Sequence, residues 1–272
     1  MSPLEACLAL EPDGPLRWRG GTGASSGHVY GGQVVAQALR AAHLTVEAPC
    51  WPHSLHASFL QAGTAGEPLL HAVERTRDGS SFATRRVVVS QPGTAEPILV
   101  LVASFHVPEA GVNYALVAPS GLPAPESLPP GRYDGEVFDC RDVPPGPARA
   151  AGTAGVAAHA RRMWFRARGE LADDPALHLQ GLAFASDHGP TRSVRQPHAD
   201  HLGVERRMSV SLDHAVWFHR PVRVDTWLLS ELVPQSTGAA RGLTVGQVWS
   251  AEGAHVATVA QEALLRLPLP PG

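Results

Sequence analysis

The chain has 272 residues, about two domains' worth at ~150 residues each. With 44% hydrophobic and 17% charged residues, it has the apolar material for a core and too little charge for a disordered chain. Its formal net charge of −3 gives no general reason to bind nucleic acid or an anionic membrane, and because all 22 basic residues are Arg, lysine Schiff-base and Walker-lysine chemistry are excluded.

The opening stretch, MSPLEACLALEPDGP, is acidic and has neither the basic nor the apolar region of a signal peptide. The longest apolar run, Ile98 to Ala103, is far short of the ~20 residues that span a membrane. Cys7, Cys50 and Cys140 are isolated from one another, which argues against a disulfide framework and a cysteine-based zinc site. A soluble, reducing, cytoplasmic setting is expected.

The first regular element is a helix over Gly31 to Val46, where Val34, Val35, Ala38, Leu39 and Ala42 recur at helical spacing. Four strand-like runs follow, at 54–62, 68–76, 81–91 and 96–106. Ala62-Gly63, Arg77-Asp78-Gly79 and Gln91-Pro92-Gly93 turn between them. From Val107 to Ala150 the composition changes, with nine of the 25 prolines in that stretch, so it reads as a connector with little helix or sheet. A strand-like RRMWFRARG then precedes Asp174-Pro175, an N-cap residue with Pro at the first helical position. The helix that follows runs to about Asp187. Strand-like runs at 208–220, 225–234, 238–250 and 254–266 complete the chain.

The same helix-plus-four-strand plan thus occurs twice. Residues 1–106 form an N-terminal repeat, 107–150 a Pro-rich connector and 151–272 a C-terminal repeat. His-Ala-Ser-Phe-Leu (56–60) aligns with His-Ala-Val-Trp-Phe (214–218) at an offset of 158, as does Leu69-Leu70 with Trp227-Leu228. One apolar helix followed by an antiparallel meander packs best with the sheet curled around the helix. Two such units can join sheet edges, leaving a cleft at the seam between the helices.

GGQVVAQAL (31–39), HSLHASFL (53–60), RDGSSFATRRV (77–87), ASFHVPEAG (103–111), LAFASD (182–187), LDHAVWFHRP (212–221), ARG (240–242) and ATVAQEALLR (257–266), taken in this order, resemble the acyl-CoA thioesterase II family. The resemblance covers nearly the whole chain outside the connector. It implies an α+β double hotdog: two repeats of a curved antiparallel sheet, each wrapped around a central helix. It also implies hydrolysis of acyl-CoA to free acid and CoA, no cofactor or metal, and a homo-oligomer. The family's helix-borne Asp, strand hydroxyl and strand Gln, which hold and activate a water, carry over to Asp187, Ser211 and Gln261. Ser211 stands where Thr is common, and it keeps the hydroxyl without the stiffening methyl. The family's usual Phe-Leu-Arg-Pro-Gly reads Phe59-Leu60-Gln61-Ala62-Gly63 here.

The residues agree with that chemistry on their own terms. Thioester hydrolysis needs a nucleophilic water and a stabilised oxyanion. A carboxylate at the end of a buried helix serves the first need, and polar Ser211 and Gln261 in apolar strands need partners. Backbone N–H groups near Gly31 and Gly32 could receive the oxyanion. Substrate contacts are expected from Gly31, Gly32, Gln33, His53, His56, Ser81, Phe82 and His214. At the 158 offset Ser211 pairs with His53 and Gln261 with Ala103, and the first helix has no carboxylate, so one site per chain is expected. Among Arg75, Arg77, Arg85 and Arg86, neighbouring Arg85 and Arg86 face opposite ways on a strand, so at most one reaches a given CoA phosphate; the alternative is a solvated sheet edge. Gly23-Ala-Ser-Ser-Gly27 matches G-x-S-x-G without the buried strand a nucleophile elbow needs. His198 and His201 lack H-E-x-x-H spacing. Two other readings stay open: a hydratase-type lyase using Asp187-His188, and a non-hydrolytic acyl-CoA binding protein.

Overall fold

The computed structural model describes residues 1–23, 27–145, 159–198 and 208–266. Four helices are described: α1 (Pro3–Leu8), α2 (Gly31–His43), α3 (Pro175–Ser186) and the short α4 (Pro190–Ser193). The strands are β1 (Leu10–Pro12), β2 (Arg17–Gly20), β3 (Trp51–Phe59), β4 (Leu69–Asp78), β5 (Phe82–Ser90), β6 (Leu99–His106), β7 (Phe138–Val143), β8 (Arg161–Ala167), β9 (Met208–Ser211), β10 (Asp213–Phe218), β11 (Leu228–Gly238), β12 (Arg241–Ser250) and β13 (His255–Arg266).

These strands form one sheet in the order β1-β2-β4-β5-β6-β3-β10-β13-β12-β11-β8-β7, with β9 paired to β13. The order is a palindrome about the β3·β10 pair: β4-β5-β6-β3 on one side mirrors β10-β13-β12-β11 on the other. Five residue pairs, from Asp213↔Ser58 to Trp217↔Ser54, close the seam. Side chains alternate across the pleat. Leu99, Leu101, Ala103 and Phe105 on β6, and Val259, Gln261, Ala263 and Leu265 on β13, point into the core. The fold is the expected α+β double hotdog, with α2 and α3 packed on each other inside the curl.

Every residue of α3 from Ala176 to Ser186 is buried, and most of α2 is too. A helix apolar on all sides needs packing all round. Here α2, the sheet and α1 supply it, the last through fully buried Leu4 and Leu8. Asp174 caps α3 by accepting from the Ala176 N–H at 2.9 Å. Ser2 and Glu5 form a capping box on α1.

The connector is more structured than expected, because β7 pairs with β8 from Phe138↔Ala167 to Val143↔Arg162 and extends the sheet. Before β7 it runs as a strap. Trp164, Trp227 and Trp249 donate indole N–H bonds to Pro123 O (3.1 Å), Glu126 Oε1 (2.8 Å) and Leu116 O (3.4 Å).

The register corrects the repeat offset. Leu55 and His214 are both fully buried, whereas His56 faces outward. Leu55 pairs with Ala103 on β6, and His214 bonds Gln261 on β13. Likewise Pro52↔Phe105 matches Ser211↔Ala263. The first strands therefore superpose at an offset of 159 (214 − 55 and 211 − 52), while the last strands keep 158 (261 − 103 and 263 − 105). The counterpart of Ser211 is Pro52 rather than His53, and His56 is not the counterpart of His214. A one-residue slip turns a side chain to the other face of a sheet.

Among the described residues, no helix is long and apolar enough to cross a membrane, and no three His, Cys, Asp or Glu side chains converge as a metal site. The three cysteines are free thiols.

Candidate active site

The N-terminus of α2 meets the C-terminal end of α3. Asp187 is the C-cap of α3, and Gly31 and Gly32 open α2. Both glycines are required by close approach. A Cβ on Gly31 would lie 2.8 Å from Asp187 Oδ2 and 3.1 Å from the Phe59 ring, and one on Gly32 would lie 2.3 Å from the Phe184 carbonyl oxygen. Tyr30, the residue before α2, ties the two helices by donating its hydroxyl to Phe184 O at 3.0 Å.

Asp187 is half-buried, and its tightly packed, poorly solvated carboxyl is pushed up to about 7. The side chain of Gln261, the backbone N–H of Gly32 and the hydroxyl of Ser211 partly offset that rise. These three donors face the carboxyl. Ser211 and Gln261 are joined directly, since Gln261 Nε2 donates to Ser211 Oγ at 2.6 Å. Three residues from α3, β9 and β13 thus converge on one point at the start of α2.

His214 lies behind Gln261. It is fully buried, with Nδ1 at 2.5 Å from Gln261 Oε1 and Nε2 at 2.8 Å from Ser186 Oγ. Both ring nitrogens are engaged by protein, so the imidazole is not the substrate contact expected of it. Burial holds it down to about 4. Ser186, one residue before Asp187, was not singled out in the sequence, where a helix-end serine carries no distinguishing signal.

The other expected contacts divide. Gln33 turns away and donates to Gly21 O at 3.0 Å. His53 and Phe82 pack edge to face, and Phe82 stacks on His106. Ser81 adjoins them, and its carbonyl accepts from Val107. This group sits at the Trp51 end of β3, whereas Phe59 at the other end touches the Asp187 site. Six residues of strand place His53 roughly 20 Å from Phe59. His56 is exposed on the outer face, against Trp217. His53, His56, Ser81 and Phe82 are therefore not gathered with Asp187.

His188 stacks between Tyr30 and Tyr133, with both ring centroids 5.1 Å away, and burial pushes it down to about 4. It faces the aromatic wall rather than the Ser211–Gln261 pair, so it does not form the acid–base pair a hydratase reading asks of it. Tyr133, a connector residue, thereby joins the surroundings of the site, which its Pro-rich context did not suggest. Arg85 is fully buried, and its guanidinium makes five bonds, to Thr45 Oγ1, Thr45 O, Arg77 O, Thr84 O and Asp78 Oδ1. No N–H is left for a phosphate, while exposed Arg86 pairs with Glu74. Arginines gather elsewhere. An open cleft of about 430 Å³ between α4 and the start of β8 is lined by Arg161, Arg162, Arg192 and Arg195 with Asp142. Ala24, Ser25, Ser26 and His201 lie outside the described residues.

The polar set is not repeated in the N-terminal half. Counted from the N-caps Tyr30 and Asp174, Asp187 corresponds to His43, whose ring packs on Trp51 and Phe105. Ser211, His214 and Gln261 correspond to Pro52, Leu55 and Ala103, all buried.

Residues 19–106 match the family model described as the acyl-CoA thioesterase N-terminal domain, and residues 117–265 match the one described as the acyl-CoA thioesterase C-terminal domain. The chain belongs to the acyl-CoA thioesterase II family. An acyl-CoA thioesterase II from Mycobacterium marinum superposes with a TM-score of 0.84 at 38% identity, covering 97% of this chain and 98% of that one. Human acyl-coenzyme A thioesterase 8 is 33% identical over 274 residues, covering 88% of this chain and 81% of its own length. A hotdog-fold protein from Alicyclobacillus acidocaldarius shares the fold, with a TM-score of 0.78 at 18% identity over 99% of this chain. Family membership makes the chain a thioester hydrolase.

Proposed function

We propose that this chain hydrolyses acyl-CoA to a free carboxylic acid and CoA, and that Asp187, Ser211 and Gln261 hold and activate the attacking water. The observation that carries this reading is the convergence of the Asp187 carboxyl, raised by burial to about 7, with the bonded Ser211–Gln261 hydroxyl–amide pair at the start of α2. An acceptor and two donors of this kind are the partners an attacking water needs.

In the reaction, Asp187 takes a proton from that water as its oxygen attacks the thioester carbonyl carbon. Ser211 and Gln261 fix the direction of attack. The first N–H groups of a helix have no intrahelical partner. The N–H of Gly31, at the positive end of α2, is placed to receive the developing oxyanion. The tetrahedral intermediate then expels CoA as the thiolate, the C–S bond breaks, and the proton held by Asp187 returns to the sulfur. No acyl-enzyme is needed in this scheme: the Ser186 hydroxyl that meets His214 is buried behind Gln261, and Ser211 is held by Gln261.

The test is free-thiol release from acyl-CoAs of increasing chain length by the wild type and Asp187→Asn. Release by the wild type, reduced at least a hundredfold in a folded variant, is expected. Equal release by both proteins would remove Asp187 from the mechanism. Binding without release would favour a non-hydrolytic acyl-CoA binding protein.

A further inference from the structure

We infer that His214 and Ser186 are positioning residues for hydrolysis: together they lock the Gln261 side chain with its amide N–H groups turned toward Ser211 and Asp187. This rests on the reading of Asp187, Ser211 and Gln261 as the water-activating set and adds the device that orients one of them.

An amide side chain has nearly the same shape either way round, so its orientation is decided by its partners. Gln261 is 1% exposed, His214 0% and Ser186 7%, so these partners are protein groups. Ser186 Oγ lies 2.9 Å from Ala183 O and 2.8 Å from His214 Nε2, but a hydroxyl has one proton to give. Suppose Ser186 gives it to Ala183. A neutral His214 must then donate from Nε2, leaving a bare Nδ1 facing Gln261. The amide would turn its NH2 to that nitrogen and present its oxygen to the Asp187 carboxylate, a like-signed neighbour, while the Ser211 hydroxyl would spend its proton on that oxygen instead of on Asp187. Suppose instead that Ser186 donates to Nε2. Nδ1–H then donates to Gln261 Oε1 at 2.5 Å, Gln261 Nε2 donates to Ser211 at 2.6 Å, and the Ser211 hydroxyl is released to point at Asp187. Only the second arrangement gives an ionised Asp187 donors on both sides.

The bonds form a circuit. It leaves α3 at Ser186, crosses β10 and β13 through His214 and Gln261, passes Ser211 on β9, and returns to face Asp187, the next residue in the chain. The position of the carboxyl and the direction of the amide are thus set by one helix end. The counterpart of His214 in the other repeat is Leu55, and that of Gln261 is Ala103, so donor and amide are absent together.

The groups facing Asp187 make its titration readable. The α2 cap brings Tyr30, held well above its usual range by burial. The turn after α3 brings His188, held at about 4. Beyond Gln261, β10 brings His214, also at about 4. β9 and β13 bring only uncharged Ser211 and Gln261, so near pH 7 Asp187 titrates alone among them.

The experiment compares wild type, Ser186→Ala, His214→Leu and His214→Asn by steady-state thiol release across pH. It also records the ring nitrogens of His214 by NMR in protein carrying labelled histidine. Asn places a donor near the Nδ1 position; Leu does not. The expected results are a kcat about 10–100-fold lower for His214→Leu, with KM within about twofold, and an acid limb displaced to higher pH because the amide donor facing Asp187 is lost. His214→Asn should recover most of kcat and return the limb. Ser186→Ala, a one-atom deletion that spares the core, should move the limb in the same direction by less. The NMR spectrum of the wild type should show neutral imidazole protonated at Nδ1, whether or not the protein turns over. A proton on Nε2, or folded Ser186→Ala and His214→Leu with wild-type kcat and limb, would overturn the inference. Absence of thiol release by the wild type alongside an Nδ1 proton would instead count against the proposed reaction and leave the locked amide standing.

Discussion

Burial raises Asp187 from about 3.9 in an unfolded chain to about 7 in the folded one. Between those values the native state binds more protons than the unfolded state, so this residue's contribution to stability falls as pH rises from about 4 to about 7 and stays low above it. The upper bound on that loss is about 4 kcal/mol, at 1.36 kcal/mol per unit. The same deprotonation creates the base, so activity should rise with pH through about 7. Asp187→Asn should therefore melt several degrees above the wild type at pH 8 and level with it at pH 4, while losing turnover. Thermal melts of both proteins at the two pH values check this; a lower melting temperature for the variant at pH 8 would mean that the carboxylate is a net stabiliser. Arg85 shows a second way of burying charge. Its planar fork meets five acceptors, including the Asp78 carboxylate, a set that a lysine with three donors could not satisfy. In the sequence Arg85 and Arg86 looked equivalent apart from strand parity. Parity gave their opposite facing, but nothing in the letters showed which one pointed inward.

Among the elements, those with strong periodicity were legible. The helix expected over 31–46 is α2 at 31–43; seven of the eight long strand runs each hold one strand, and the run at 208–220 is split at Leu212 into β9 and β10. Short edge elements were not legible: β1 and β2 are three and four residues long, too brief for alternation to register. β7 lies between prolines, which suppress a strand reading even though Phe138, Cys140 and Val143 are buried and β8 supplies the pairing. The strap ahead of β7 has few backbone bonds of its own and depends on its indole donors. Trp227 contributes twice, through its bond to Glu126 and through the Arg166 guanidinium 4.4 Å over its ring. Trp227→Phe keeps the apolar bulk and loses the donor, worth about 1 kcal/mol. The expected outcome is faster proteolytic nicking between residues 108 and 130, with a melting temperature within a few degrees of wild type. Equal cleavage rates would show that the strap is held by packing alone.

For the whole molecule, duplication was visible in the letters, but its register was not. The matching His-Ala dipeptides favour an offset of 158, while pairing with β6 and β13 sets the first strands at 159. The conclusion of a single polar set per chain survives the correction, because Pro52, Leu55 and Ala103 are as unsuited to holding a water as the residues first placed there. A hydrolysis-resistant acyl-CoA analogue should accordingly saturate at one molecule per chain in calorimetry. Two per chain would require a second site in the N-terminal half, around His43.

The β3·β10 seam joins the two repeats through five residue pairs, reinforced by the packing of α2 on α3. Two separate polypeptides meeting there would associate by mass action, and dilution would pull them apart. Here the connector makes that meeting intramolecular, so each half always has its partner at an effective concentration set by the tether. Because the Gly31–Gly32 helix start comes from one half and Asp187, Ser211 and Gln261 from the other, the completeness of the site is independent of how much protein a cell contains.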